Sequence, residues 1–338
     1  MDAIVLVGGQ GTRLRPLTTT RHKSLVPVLN RPAIEYLFGW LEESGFERAI
    51  LAIGRYNEDL ADAYRHGRPG NLEVRLVEER ERLESGGAIR NAVAEAAIEG
   101  RFLVLNGDVF LDFPFAPALE EHISRGADLT LALFEIENPS AYGVAAVDEA
   151  GVITGFVEKP PPGTEPSNLV NAGAWIFEPG LVAEIPPGAV RVEETLFPSL
   201  VARKRMVLGH RFSGVWADIG TPARYLALNR DLLAREGRRV DATGAKIAAG
   251  AVVEGSSLGQ DTDVHDGATV RGSVLWERVT VAEGATIADS VIADGVTVGR
   301  NTLVTGAVIG SGAIILPGTI VKPGTLIEPG TTYDGGTS

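Results

Sequence analysis

Residues 8 to 13 read "GGQGTR" and follow directly on the apolar run "AIVLV" (Ala3 to Val7). Glycines without a Cβ let backbone N–H groups close in on a phosphate, and Arg13 supplies fixed positive charge to hold one. Two familiar phosphate loops do not fit. A Walker loop needs Lys-Ser or Lys-Thr after its last glycine, and Gly11 is followed by Thr12 and Arg13. The dinucleotide fingerprint needs a third glycine where Leu14 stands. The loop runs instead into a basic stretch. Between Ala3 and Ile34 there is no Asp or Glu, while Arg13, Arg15, Arg21, Lys23 and Arg31 all fall there.

That local charge stands out against the whole chain, whose 338 residues carry a formal charge of −13. Such a balance argues against nucleic acid or an acidic membrane as partner, so an anionic ligand must meet a local basic site. The chain has no cysteine and five scattered histidines, which exclude disulfides and thiolate metal sites and leave oxygen ligands for any metal. Apolar residues make up 44%, enough for an ordinary core. No run approaches ~18 apolar residues, and "MDAIVLVGG" lacks the basic region and cleavage site of a signal peptide. A cytoplasmic enzyme is the expectation.

Elements must position these residues, and two periods alternate along the chain. Up to about residue 235, strand-like runs ("AIVLV", "RAILAI", "LEVRLV", "RFLVLN") alternate with helical patterns such as "PAIEYLFGWLEESG" and "GGAIRNAVAEAAIEG". This spacing predicts a Rossmann-like α/β domain with a mostly parallel sheet, whose ligands sit beyond the carboxyl ends of the strands. Both "GGQGTR" and "NGD" (106 to 108) fall at such ends. After about residue 246 aromatics nearly vanish and aliphatics recur at steps of six: Val252, Leu258, Val264 and Val270, then Val281 and Ile287, then Ile292, Val298 and Val304, then Ile309, Ile315, Val321 and Ile327. Steps of six put one aliphatic on each side of a three-sided coil of about eighteen residues. The pattern resembles the hexapeptide repeat of left-handed parallel β-helices. The expected division is a catalytic domain over 1–235, a linker over 236–245 and the β-helix over 246–338.

Read to its full length, "GGQGTRLRPLTTTRHKSLVPVLNRPAIEY" resembles the signature of the sugar-1-phosphate nucleotidyltransferases. His22 and Ser24 stand where that family usually has prolines, so a changed loop around Lys23 is expected rather than a lost function. "LNGDV", "AYGV", "FVEKP", "VNAGAWIF" and "WADIGTPARYL" follow in the family's order. Singly, Asp108 or Asp218 could cap a turn or a helix and Lys159 could be surface charge; five motifs in order argue otherwise.

The resemblance implies a reaction and roles. A sugar 1-phosphate attacks the α-phosphorus of a nucleoside triphosphate, giving a nucleotide sugar and pyrophosphate. Arg13, Lys23 and Lys159 would be the catalytic cations, and Asp108 and Asp218 would hold Mg2+, a hard cation suited to carboxylate oxygens. Gly8, Gly9, Gly11, Thr12, Glu79, Ser85, Gly86 and Asn106 would bind the nucleotide, and Gly143, Glu158, Lys159 and Asn171 the sugar phosphate. Relatives that use thymidine or uridine carry a Gln where Glu79 stands. An ionised carboxylate only accepts, and guanine offers two adjacent donors, so GTP is favoured. "SGGAI" resembles the guanylyltransferases, with Glu84 replacing a usual Gly; the hexads and "NAGAWIFEP" are most similar to the branch acting on mannose 1-phosphate.

Within the same chemistry the alternatives are glucose or heptose 1-phosphate with GTP, CTP, UTP or dTTP. Outside it stand a hexapeptide acyltransferase, for which the repeats offer only His265, and a non-catalytic homologue that senses nucleotide sugars. The repeats are expected to serve assembly of a homo-oligomer.

Overall fold

The computed structural model describes the chain apart from residues 56, 238, 337 and 338. It divides into two compact units: Met1–Gly9 with Tyr36–Trp216, and Gln10–Glu35 with Ala217–Ser338. The basic stretch after Gly9 groups with the repeats, not with the sheet whose first strand precedes it. Position 238 of the expected linker and the last two residues of the expected β-helix lie outside the described residues.

The first unit is built on a sheet of nine strands: β1 (Asp2–Leu6), β2 (Arg48–Gly54), β3 (Glu73–Glu79), β4 (Phe102–Asn106), β5 (Leu129–Glu135), β6 (Gly143–Val147), β7 (Ile153–Glu158), β8 (Leu169–Phe177) and β9 (Val207–Arg211). Their order is β7-β6-β8-β4-β1-β2-β3, with β5 paired to β8 and β9 to β5. The pairs β3–β2, β2–β1 and β1–β4 are parallel, as the alternating pattern requires. β8 enters antiparallel against β4 and β5. The helices of the chain are α1 (Ala33–Glu43), α2 (Glu58–Tyr64), α3 (Glu84–Ala96), α4 (Phe115–Ser124), α5 (Leu196–Ala202) and α6 (Pro222–Glu236). α3 buries Ala88, Ile89, Ala92 and Ala96, an apolar stripe at helical spacing that packs with Ile4, Val104 and Trp175 in one core. Leu6, Glu79 and Asn106 are the last residues of β1, β3 and β4, so this core delivers three side chains to one edge of the sheet.

The second unit is a left-handed parallel β-helix of hexapeptide repeats together with α6 and residues 10–35. α6 starts where Thr221 accepts from the Arg224 N–H and Pro222 opens the first turn; it stops at Gly237, with φ +109°. Strands stack into three parallel sheets, one per side. Val253 pairs with Val270, Val270 with Ile287 and Ile287 with Val304, so each of these coils has seventeen residues rather than eighteen. One side is five residues long. That accounts for the phase shifts between the aliphatic sets: Val270 to Leu275, Ile287 to Ile292 and Val304 to Ile309 are all steps of five. Among the described residues only the last coil, where Ile309 pairs with Ile327, has eighteen. The inward residue of the first set is Val253 (9% exposed), not Val252 (37%). The expected linker is also structured, since Arg239–Asp241 pairs with Ser256–Leu258 as the first rung. Each inward Val or Ile removed from water contributes roughly 1.5–3 kcal/mol.

Candidate active site

In the first unit a cavity of about 130 Å³ opens at the carboxyl edge of the sheet, lined by Leu6, Gly8, Gly9, Glu79, Arg82, Glu84, Ser85, Ala88 and Asn106. Glu79 is 5% exposed. Its Oε2 accepts from the Leu83 N–H at 3.1 Å, and a Cβ on Gly8 would lie 3.3 Å from Oε1. Burial raises the Glu79 pKa above the usual carboxylate value; the Leu83 hydrogen bond opposes this and nearby Glu84 adds to it. Glu84 opens α3 with φ +55°, a left-handed conformation that suits the glycine usual in the family. Its carboxylate pairs with Arg82 Nε at 2.8 Å and Arg191 Nε at 3.1 Å.

Two expected nucleotide contacts are occupied by protein. Ser85 Oγ donates to Glu193 Oε2 at 2.5 Å and accepts from the Val192 N–H at 3.0 Å. The Gly86 N–H donates to the Val190 carbonyl at 2.8 Å, and a Cβ there would come within 2.8 Å of Val190 Cγ2. Gly86 is small for packing, and Ser85 lines the cavity while anchoring the 190–193 segment. Glu193, whose pKa is raised by desolvation, has no counterpart in the sequence reading; nothing in "RVEETL" sets it apart from Glu194.

The expected sugar-phosphate residues lie on β6, β7 and β8. Gly143 faces Glu158 across the β6–β7 pair, and a Cβ on it would fall 2.7 Å from Glu158 Oε2. Lys159 Nζ lies 2.9 Å from Glu158 Oε1 with its side chain half exposed, and its backbone takes φ +49°. Asn171 Oδ1 accepts from the Trp175 indole at 2.7 Å and the Gly173 N–H at 3.1 Å. The register shifts between Asn171 and Trp175, and Gly173 (φ +76°) has no room for a Cβ because Asn106 Nδ2 would lie 2.8 Å away. The irregularity in β8 thus brings the strand holding Asn171 against Asn106. Asp108 stands in the turn after β4, where Gly107 lets the strand ends approach: a Cβ there would be 2.3 Å from Val7 Cγ1.

In the second unit the basic loop folds on itself. Gly11 (φ +62°) closes against Thr18 and Lys23, each 3.1 Å from where its Cβ would be, and Thr18 Oγ1 donates to the Gly11 carbonyl at 2.7 Å. Thr12 and Arg13 follow in a short 3-10 turn and are exposed. Lys23 opens a second such turn, whose amide at Ser24 donates to His22 Nδ1 at 3.2 Å. His22 has φ −62°, the value a proline would impose, so the hydrogen-bonded cap takes the place of the ring. Arg13 and Asp218 meet at Gly220: a Cβ on that glycine would lie 2.6 Å from Asp218 Oδ1 and 3.1 Å from an Arg13 nitrogen. Asp218 Oδ2 also pairs with Arg224 Nη1 at 2.6 Å. Sequence reasoning passed over Arg224, although it lies six residues on in the same motif. Among the described residues no three His, Asp or Glu side chains gather into a cage for a metal. A Mg2+ ion ordinarily takes one or two carboxylates and fills its shell with water and substrate phosphate, so Asp108 in the first unit and Asp218 in the second are each a donor of the type that suits it.

A profile of the nucleotidyl transferase family matches residues 2–235, more than half of the chain. The chain belongs to the nucleotidyl transferase family. Residues 230–324 of this nucleotidyltransferase match the GlmU-like C-terminal hexapeptide family. Over 272 residues it is 32% identical to mannose-1-phosphate guanylyltransferase of Mycobacterium tuberculosis, covering 76% of this chain and 74% of that one. Over 228 residues it is 36% identical to mannose-1-phosphate guanylyltransferase catalytic subunit beta of Drosophila pseudoobscura, covering 66% of this chain and 60% of that one. In fold it is similar to HddC from Yersinia pseudotuberculosis (TM-score 0.60, 25% identity, 68% of this chain and 99% of that chain). Among the described residues no helix is long and apolar enough to cross a membrane.

Proposed function

We propose that this nucleotidyltransferase joins GTP and mannose 1-phosphate to give GDP-mannose and pyrophosphate. The observation that carries the choice of base is the buried Glu79 carboxyl group in the cavity that opens at the sheet edge. In its ionised form it accepts from two adjacent guanine donors, whereas a pyrimidine base pairs with a group that both gives and takes. Relatives named for mannose-1-phosphate guanylyl transfer support the sugar.

The chemistry asks for position and positive charge more than for proton transfer. The attacking phosphate of the sugar has a second pKa of about 6 and is mostly dianionic at neutral pH, so no general base is needed. Its oxygen forms a bond to the α-phosphorus while the bond from that phosphorus to the pyrophosphate oxygen breaks. Arg13 and Lys23 hold the triphosphate and the departing pyrophosphate, with Gly8, Gly9 and Gly11 leaving backbone amides open to it. Lys159 holds the sugar phosphate, oriented by its 2.9 Å pair with Glu158. Gly143, Glu158 and Asn171 contact the sugar hydroxyls, and among the described residues Asn171 Nδ2 has no protein partner to compete with them. Bound Mg2+, held by Asp108 and Asp218, would neutralise charge on the phosphates.

The β-helix serves assembly of a homo-oligomer. Support comes from apolar residues on its outside, Leu303, Ile314, Ile320 and Leu326, which are 41–59% exposed. Light scattering on the purified chain, and on a Leu303→Ser, Ile320→Ser variant, tests this. The substrate pair is tested by pyrophosphate release over five nucleoside triphosphates against mannose, glucose, heptose and N-acetylglucosamine 1-phosphates with Mg2+. A preference for dTTP or UTP overturns the reading of Glu79, and a preference for another sugar overturns that of mannose.

A further inference from the structure

After residue 245 the repeats hold two aromatic residues, Trp276 and Tyr333. Trp276 sits in a column of the β-helix where the coils on either side carry Gly259 and Ala293, yet it is fully buried. Arg21 of the basic loop lies over it. The Arg21 guanidinium stacks 5.1 Å from the centre of the Trp276 ring and donates to Asp294 Oδ2 at 2.9 Å. Asp294 Oδ1 accepts from the Glu277 N–H at 3.2 Å, and the carboxylate is 14% exposed. The Trp276 indole donates to the Tyr225 hydroxyl at 3.0 Å, and that hydroxyl donates to the Pro27 carbonyl.

These contacts form a ring. It leaves the loop at Arg21, crosses the repeats through Trp276, passes to α6 at Tyr225 and rejoins the loop at Pro27. Lys23 falls on the segment between Arg21 and Pro27, on the 3-10 turn capped by His22. Thr20 with Ser311 at 3.1 Å and Asn30 with the Leu258 carbonyl at 2.8 Å extend the clamp on both sides. A cation–π contact to a buried ring and a charge-assisted hydrogen bond to a nearly buried carboxylate are each stronger than their surface equivalents. Together they fix the backbone two residues from Lys23.

We propose that Arg21 and Asp294 are positioning residues for nucleotidyl transfer: the β-helix, through this pair and Trp276, sets where Lys23 presents its charge to the triphosphate. The proposal rests on the reading of Lys23 as a triphosphate ligand. It gives the repeats a part in the chemistry separate from assembly.

The test compares Asp294→Asn, Arg21→Lys, Asp294→Glu and Lys23→Met in the full chain. The readouts are KM for the preferred nucleoside triphosphate, KM for the sugar 1-phosphate, kcat and the melting temperature. Displacing a reacting group by about 1 Å can cost on the order of 10²-fold. Asp294→Asn and Arg21→Lys are expected to raise the triphosphate KM at least roughly 10-fold on that scale, with the sugar-phosphate KM unchanged and partial recovery in Asp294→Glu. Unchanged kinetics in Asp294→Asn and Arg21→Lys overturn the proposal. So does a fall in melting temperature with equal loss toward both substrates, which marks a purely structural pair. If Lys23→Met keeps the wild-type triphosphate KM, it is the reading of Lys23 that fails; if Lys23→Met loses it while Asp294→Asn does not, positioning alone fails.

Discussion

The Glu79 carboxyl group and the backbone of Gly8 share one wall of the cavity: a Cβ on Gly8 would stand 3.3 Å from Glu79 Oε1. The last residue of β3 and the start of the glycine-rich turn therefore lie side by side, and on the proposed reading the group that selects the base borders the loop that holds the phosphates. Exchange of Glu79 for Gln keeps the shape and adds a donor. The expected outcome is loss of guanine preference by about 10²-fold in kcat/KM, with UTP or dTTP turnover gained, since a site that leaves polar groups unpaired rejects a substrate by at least that much. Competition assays with mixed triphosphates measure it.

The raised pKa of Glu79 has a pH signature. On the proposed reading its ionised form accepts from guanine, so GTP affinity should fall as pH drops through that raised value, earlier than for an ordinary glutamate. For stability the sign is opposite. A carboxyl group whose folded pKa lies above its unfolded value of about 4.3 supports the fold while protonated and withdraws that support as pH rises through the folded pKa. Glu79→Gln should therefore flatten the acid side of the KM profile for GTP and raise the melting temperature near neutral pH relative to wild type. Thermal melts from acid to neutral pH check the second half, and a melting temperature lowered at neutral pH would contradict it.

Gly220 separates Asp218 from Arg13. Its replacement by Ala puts a methyl group 2.6 Å from Asp218 Oδ1, in a backbone conformation that alanine tolerates. Activity should fall by about 10²-fold or more, because the carboxylate and guanidinium must move apart, while the melting temperature changes little. Steady-state kinetics beside a melting curve separates the two effects.

The repeats predict their own energetics. Ile292 is fully buried in the core of the coils, so Ile292→Ala should cost about 2–5 kcal/mol. Thr297 points outward on the next strand, and its change to Ala should stay within roughly 0.5 kcal/mol. Denaturant unfolding of both variants gives the comparison.

The family was legible because the ordered motifs that run from "GGQGTR" to "WADIGTPARYL" carry it along most of the first 235 residues. The sheet was legible because apolar runs alternate with amphipathic ones. The coils were legible in their period but not in their length, since a step of five on one side looks in sequence like an interruption, and Val252 reads as well as Val253 until pairing with Val270 decides between them. The grouping of residues 10–35 with the repeats was invisible. Nothing in "TTTRHKSL" marks Arg21 as stacked on a ring more than 250 positions away, because a cation–π contact leaves no local pattern. The spent hydrogen bonds of Ser85 and Gly86 were hidden for the same reason: their partners, Glu193 and Val190, come from a distant segment.

The central claim is that a sugar-phosphate oxygen displaces pyrophosphate from the α-phosphorus of GTP. Mannose 1-phosphate labelled with 18O at its three non-bridging phosphate oxygens, incubated with the chain, GTP and Mg2+, tests it by mass spectrometry of the products. The prediction is GDP-mannose retaining all of the label, together with one equivalent of unlabelled pyrophosphate. Absence of pyrophosphate, or a nucleotide sugar that has lost the label, would contradict the mechanism.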